Sequence, residues 1–284
     1  MQPADYAYLY ELEDDYWWFA GMRQITAALL DPLCPPDRDR LILDAGCGTG
    51  GMLSWLARYA GNGRVAGIDR VGTALEFCRR RHHQMISQAL IQTLPFPEST
   101  FDLVTSFEVL GQLNSKESAD SAIREIYRVL KPGGLAFVRV AAHEWMKSGH
   151  DEALGTFHRY SLNEFSVEMR QAGFEILRDT YANSLPMPLA MLRRLVLTRL
   201  GLASRGSDVK PLPSGWQWLN SAMTGTLKAE AVWLRRPGAK LLMGLSAICL
   251  AQKPLDAHAV RTDSQIADKL GQDHQTRQRL GPAI

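Results

Sequence analysis

A chain of 284 residues, 46% of them apolar, is long enough for one large domain or two small ones around a well-buried core. Its formal net charge is only +2, so no excess of charge calls for nucleic acid, an acidic polymer or an anionic membrane as partner, and the run Cys78-Arg-Arg-Arg-His-His83 reads as a solvated helix end. The four cysteines, at 34, 47, 78 and 249, show neither C-x-x-C pairing nor zinc spacing, which predicts free thiols in a reducing compartment and no metal site. The opening MQPADYAYLYELEDD lacks the apolar core of a signal peptide, and no run reaches the length of a membrane span, so a cytoplasmic location is expected.

In chain order, residues 1–40 read as an N-terminal helical segment that ends in the linker-like Asp31-Pro-Leu-Cys-Pro-Pro-Asp37. From residue 41 short apolar runs alternate with helix-period stretches, the pattern of parallel strands joined by crossover helices. Strands are predicted at Leu41–Ala45, Arg64–Asp69, Ala89–Thr93, Phe101–Phe107 and Gly134–Val140. Between them helices are predicted at Gly51–Tyr59, Thr73–His83 and Ser118–Leu130, the last stopped by Lys131-Pro-Gly-Gly134. A capping-box spacing of Ser161 and Glu164 starts a helix over Ser161–Ala172, which leads into strand Phe174–Tyr181. The rhythm then breaks: 184–240 carries Pro186, Pro188, Pro211 and Pro213 and two helical stretches and reads as a helical cap insertion, before Leu242–Ala251 resumes as a strand. Residues 41–183 and 241–254 thus form the core, and 255–284 is a polar tail with few large apolar residues.

The glycines of LILDAGCGTGGML pose an ambiguity. Positions 46, 48 and 51 spell G-x-G-x-x-G, the loop of a dinucleotide site, whose pyrophosphate sits on the following helix N-terminus. Asp69, ending GIDR, suits the ribose hydroxyls in either reading. Asp44, a carboxylate directly before the glycines, would repel a pyrophosphate but suits a ligand bearing an ammonium and a sulfonium, which favours S-adenosylmethionine over a nicotinamide cofactor.

LDAGCGTG, GIDR, LPFPESTFDLVTSFEVL and REIYRVLKPGG, in that order, resemble the class I S-adenosylmethionine-dependent methyltransferases. The resemblance implies a Rossmann-like, doubly wound seven-stranded α/β sheet in order 3-2-1-4-5-7-6 with strand seven antiparallel. It implies that Asp44, Ala45 and the loop Gly46, Cys47, Gly48 and Gly50 hold the methionine part, Asp69 the ribose, and that Arg70 packs near the adenine. Gln92, Thr93 and Leu94 would line the adenine edge, and Phe107 and Glu108 would face the methionine side and the substrate. Where many relatives carry an acid for the adenine amino group, this chain has Leu90.

A narrower resemblance lies in the flanks. Glu13-Asp-Asp-Tyr-Trp-Trp-Phe19 followed by Arg23 is similar to the E-x-x-H-x-W-F-x-x-R opening of a bacterial methyltransferase group often encoded near glycan or lipid-linked saccharide genes. His150-Asp-Glu-Ala-Leu-Gly155, Arg159-Tyr160, Tyr181-Ala-Asn-Ser-Leu-Pro186, Asn220, Glu230 and Gly244-Leu-Ser246 continue it. The chain departs from that group where Tyr16, Gln112 and Thr156 stand at positions that are commonly histidine. A hydroxyl acceptor can need a base, and the candidates are His143, His150 with Asp151, and His158, each of which reads equally as a structural residue. Tyr16, Trp17, Trp18 and Phe19 read as a lid, as a helix packed on the core, or as both. Met187–Leu202, with Leu189, Leu192, Val196 and Leu200 at helical spacing, reads as a cap helix completed by the Trp216, Trp218 and Trp233 segment, in preference to a membrane-surface helix. Cys47 reads as a small residue that fits the loop. The expected activity is methyl transfer to oxygen of a small-molecule or lipid-linked acceptor, the alternatives being a donor-binding protein without catalysis and an NAD-dependent oxidoreductase.

Overall fold

The computed structural model describes residues 3–35, 38–197 and 216–255, and through Lys253 they form one compact unit. Two helices, α1 (Pro3–Leu12) and α2 (Trp17–Leu30), precede β1 (Leu41–Ala45). There follow α3 (Gly51–Leu56), β2 (Arg64–Asp69), α4 (Gly72–Arg80), β3 (Ile86–Gln88), β4 (Phe101–Phe107), α5 (Lys116–Val129) and β5 (Leu130–Ala141). The chain closes with α6 (Gly149–Leu154), α7 (Leu162–Gln171), β6 (Glu175–Ala182), α8 (Met187–Met191) running into a π-helical turn at Leu192–Leu197, α9 (Gln217–Leu234) and β7 (Ser246–Gln252). The seven strands lie in the order β3-β2-β1-β4-β5-β7-β6, with β7 antiparallel to both neighbours, as the resemblance implies. None of the described helices is long and apolar enough to cross a membrane.

Alternation along the strands divides the sheet between two cores. Leu43, Val104, Val138 and Cys249 face α5 and α7, meeting Ile123, Ile126, Phe165 and Met169. Ile42, Leu103, Phe137 and Ile248 face the other way, onto Met22, Ile25 and Leu29 of α2 and Leu227, Ala231 and Leu234 of α9. The helix at 217–234 is therefore part of the second core as well as a neighbour of the N-terminal segment. Gly21 lets α2 and α9 approach closely, because a Cβ there would lie 2.4 Å from Leu227 Cδ1.

Several boundaries move, each for a physical reason. The third strand is Ile86–Gln88, and Ala89–Thr93 is irregular: Leu90 and Ile91 owe their apolar character to lining a cleft. The fifth strand starts at Leu130, which pairs with Phe101; Lys131-Pro-Gly-Gly134 forms the irregularity before Leu135 takes up the register with Leu103, and its glycines exchange backbone hydrogen bonds with Lys253. The last strand starts at Ser246, and Leu242 and Met243 are exposed. Ser161 caps α7 with Glu164, closing the capping box that the spacing predicts. Of the stripe on Met187–Leu202, Leu189 and Leu192 are exposed at the surface, while Leu200 and the side chain of Val196 lie outside the described residues. All of the polar tail beyond Leu255 lies outside them too.

Gly21→Ala should destabilise the fold by about 1–3 kcal/mol through overpacking against Leu227. Gly225→Ala, on α9 with nothing within 4 Å of its Cβ position, should gain about 0.5–1 kcal/mol from helix propensity. Urea unfolding of the two variants checks the contrast, and equal stabilities would contradict the α2–α9 contact.

Candidate functional site

The parallel strands end on one edge, where β1 runs into a loop whose Gly46, Gly48 and Gly50 have φ of 97°, 54° and 89°, conformations open to glycine at little cost. At Gly46 the space is tight as well, because a Cβ would lie 2.2 Å from the Val109 side chain. Asp44 is fully buried beside the loop. It stands opposite Thr105 in the β1–β4 register, and the Thr105 hydroxyl donates to Asp44 Oδ1 at 2.8 Å. Burial raises the Asp44 carboxyl to about 7, the Thr105 hydrogen bond opposing the shift. One strand over, Asp69 accepts from the backbone N–H of Gly48 (3.0 Å) and Val71 (2.9 Å). A carboxylate has about four acceptor positions, so about two remain for a ligand.

The N-terminal segment reaches this loop through Glu13. Its carboxylate accepts from the Thr49 hydroxyl (2.6 Å) and from Gly51 N–H (2.9 Å) at the start of α3, and Arg81 lies 3.5 Å away. Arg81 also donates to the Asp14 carboxylate at 3.0 Å and to the Tyr10 carbonyl at 2.9 Å, with its guanidinium over the Tyr10 ring. Arg81 is thus no part of a solvated helix end: it clasps the first helices to α4. Arg23 donates to the carbonyls of Glu13 and Asp14, and Asn220 of α9 accepts from Trp17 N–H and donates to the Asp15 carbonyl. Beneath this roof lies a cleft of about 1170 Å³, beyond the roughly 300–1,000 Å³ of a pocket for one drug-sized ligand. Tyr16, Trp17, Trp18 and Phe19 line it, and the helix they begin packs on the sheet, so the segment is both lid and core.

Most residues the sequence assigned to the donor meet in the cleft. Asp44, Gly46, Cys47 and Gly48 line it after β1, Asp69 and Arg70 after β2, Gln92 before α5, and Phe107 and Glu108 after β4. Ala45, Gly50, Thr93 and Leu94 do not. Ala45 is packed in the sheet, Gly50 shapes the start of α3 from behind, and Leu94 is buried with its N–H given to Glu125. Leu90 does line the cleft. The Cys47 thiol is buried 4.0 Å from that of Cys78, which with burial raises its pKa and fits the small, unreactive residue expected; all four cysteines are free.

The candidate bases lie elsewhere. His143 is buried and stacked on Tyr181, away from the cleft, and burial lowers its pKa. Asp151 is fully buried under Arg159, whose Nε donates to it at 2.6 Å, and it accepts from Ser148 N–H. Its carboxylate orients an arginine of the cleft wall and has no opening to an acceptor. His158 lies at the surface between Glu144 and Glu164. The side chain of His150 lies outside the described residues. Trp216, Trp218 and Trp233 are exposed and off the cleft; Leu219 and Met223, on another face of α9, line it instead. Sequence reasoning missed Arg139, whose signal is a cation inside the apolar strand Phe137-Val-Arg-Val-Ala141, and Arg81. The positions of Tyr16, Gln112 and Thr156 converge on the cleft. Among the described residues no cluster could hold a metal ion.

Residues 43–138 match the methyltransferase domain family, a span that runs from β1 through most of β5. The domain at residues 43–138 is that of a class I S-adenosylmethionine-dependent methyltransferase. Over 167 residues the chain is 29% identical to a probable S-adenosylmethionine-dependent methyltransferase of Mycolicibacterium smegmatis, covering 58% of this chain and 61% of the relative. Over 150 residues it is 33% identical to the fatty-acid O-methyltransferase of the same species, covering 50% of each. Its match thus spans about three fifths or less of the length of these curated relatives. The solved structure of the [4+2]-cyclase SpnF matches with a TM-score of 0.52 at 26% identity over 82% of each chain.

The raised Asp44 carboxyl has a consequence for pH. Between its ordinary 3.8 and about 7 the unliganded protein holds a proton that the unfolded chain does not, so this group lowers stability as pH rises through that window. A ligand ammonium at Asp44 favours the ionised form. Donor affinity should therefore rise with pH up to about 7 and level off above it, and Asp44→Asn should bind weakly at every pH; a wild-type affinity flat across that range, measured calorimetrically, would contradict the assignment.

Proposed function

We propose that this chain transfers the methyl group of S-adenosylmethionine to an oxygen of a small or lipid-linked acceptor. The observation that carries the reading is the pair of carboxylates at the loop. Asp44 offers its second oxygen to an ammonium, and Glu13 already occupies Gly51 N–H, the helix N-terminus on which a pyrophosphate would rest. Both features suit a cationic methionine end and work against a dinucleotide. At Gly48 a Cβ would meet nothing nearer than Leu9 Cδ2 at 3.8 Å, which leaves room for a ligand against the backbone there, and Asp69 has acceptor capacity for the ribose, so the residues present fit the donor.

When bound, the donor supplies a methyl carbon activated by its sulfonium. The chain's contribution is alignment and exclusion of water. Asp44 anchors the ammonium, Asp69 the ribose hydroxyls, Gln92 and Leu90 the adenine edge, and the α1–α2 roof closes the cleft. Trp17, Trp18 and Phe19 present ring faces that favour a cation near the methyl group. The acceptor lies toward the ends of β4, β5 and β7. A neutral hydroxyl there needs a base within reach. Among the described cleft residues there is no histidine, and Glu108, the carboxylate of that end, is engaged by Arg139 and Ser246. An oxygen that arrives ionised needs no base. One relative is named a fatty-acid O-methyltransferase, which accords with an oxygen acceptor. The fold also supports a cyclase, so donor binding alone does not establish methyl transfer.

Calorimetric titration with S-adenosylmethionine, S-adenosylhomocysteine and NAD tests the donor. Both sulfur ligands should bind and NAD should not, and Asp69→Ala should cost about 2–3 kcal/mol of donor binding through its lost charge-assisted hydrogen bonds. Tight NAD binding, or an Asp69→Ala variant with unchanged affinity, would overturn the reading. Incubation with methyl-labelled donor and an extract of small molecules then separates a transferase from a donor-binding protein.

A further inference from the structure

At the ends of β4, β5 and β7 the cleft is lined by two arginines, Arg139 and Arg159, and by the carboxylate of Glu108. Arg159 is balanced from behind by Asp151. Arg139 is the distinctive group. Two residues beyond Phe137 on the same face of β5, it is only 5% exposed. Its Nε donates to Glu108 at 3.0 Å, and the rings of Trp18 and Phe107 each lie 4.9 Å from its guanidinium carbon. Among the described residues nothing accepts from its two terminal nitrogens, which belong to the cleft wall. The two terminal nitrogens open on the cleft, where their parallel N–H pair matches the oxygens of a carboxylate or phosphate. The walls around it are apolar, built from Trp17, Trp18, Leu189, Leu219 and Met223.

We propose that the acceptor is an amphiphile, an apolar chain bearing one oxyanion, and that Arg139 receives the oxyanion while the chain lies between α2, α8 and α9. The proposal rests on the methyl-transfer reading of the same cleft and names its second ligand. Asp44 and Asp69 stand at the donor end and Arg139 at the other, so the two ends sort a cationic donor from an anionic acceptor.

The test titrates the chain, loaded with S-adenosylhomocysteine, with decanoate, decyl phosphate, decanol and decyltrimethylammonium. At least one anion should bind about ten-fold or more tightly than decanol, roughly 1.4 kcal/mol. R139Q should remove that advantage and leave decanol and S-adenosylhomocysteine binding as they were, and R139K should keep part of it. Preference for decanoate points to a carboxylate and preference for decyl phosphate to a phosphomonoester; both sustain the proposal. Equal binding of all four probes, tighter binding of the cation, or an R139Q that weakens S-adenosylhomocysteine in place of the anions would overturn it. R139Q leaves Glu108 without its partner, so the double variant R139Q/E108Q, which removes both charges, carries the test if the single one does not fold. Should S-adenosylhomocysteine fail to bind, the donor reading falls by itself, and the four titrations of the unloaded chain are judged by the same criteria.

Discussion

The carboxylate of Glu13 sits on the first N–H of α3, and the arrangement of the cleft follows from that contact. A helix start exposes unpaired donors and a positive dipole end, and this one opens from the glycine loop. Burying Glu13 there raises its pKa, and the Thr49 hydroxyl, Arg81 and Gly51 N–H act against that shift. Seated there, Glu13 ties the turn between α1 and α2 to the loop after β1. Gly51 has to be glycine, since a Cβ would lie 2.5 Å from Glu13 Oε2. Asn220 at the start of α2 and Gly21 against Leu227 then fix α9 beside it. A contact between the chain's opening and its loop thereby turns an open sheet edge into a roofed cleft.

At the same edge the backbone is strained where the strands end. Glu108 directly after β4, His143 two residues after β5 and Asn183 directly after β6 have φ of 62°, 63° and 61°, a region non-glycine residues enter at a cost. The neighbouring hydrogen bonds hold two of them. Glu108 is tied to Arg139 and Ser246, and Asn183 donates to Ser246 at 3.4 Å. Behind Asn183, Glu230 of α9 accepts from Leu185 N–H, which links the second core to the turn that carries Asn183. His143 is held by stacking on Tyr181, which explains a buried imidazole that has no place in the cleft.

Much of the fold was legible because its signals are local. Strand alternation, the glycines of the loop and the Ser161–Glu164 cap each follow from residues near one another in sequence. The strand order came from resemblance, since no local signal encodes which strands are neighbours. The third strand was misplaced because apolar residues that line a ligand cleft look like apolar residues in a sheet, and Leu90 and Ile91 are of that kind. That Asp44 and Asp69 stand at the ends of neighbouring strands, on the cleft, was legible for the same local reason as the loop. The base candidates were not, because a histidine or aspartate reads alike whether it faces a cleft or supports it: Asp151 holds Arg159, and His143 fills space. Arg81 and Arg139 needed the three-dimensional arrangement, as their partners lie far away in the chain.

The orientation of the donor in the cleft would be shown most directly by a crystal structure with S-adenosylhomocysteine bound. The amino group of the ligand should lie within hydrogen-bond distance of Asp44 and the ribose hydroxyls on Asp69, with Glu13 still on Gly51 N–H and Arg139 left facing the open acceptor end. A ligand whose carboxylate has displaced Glu13 from the start of α3, or one seated away from Asp44, would contradict the division of the cleft into donor and acceptor ends.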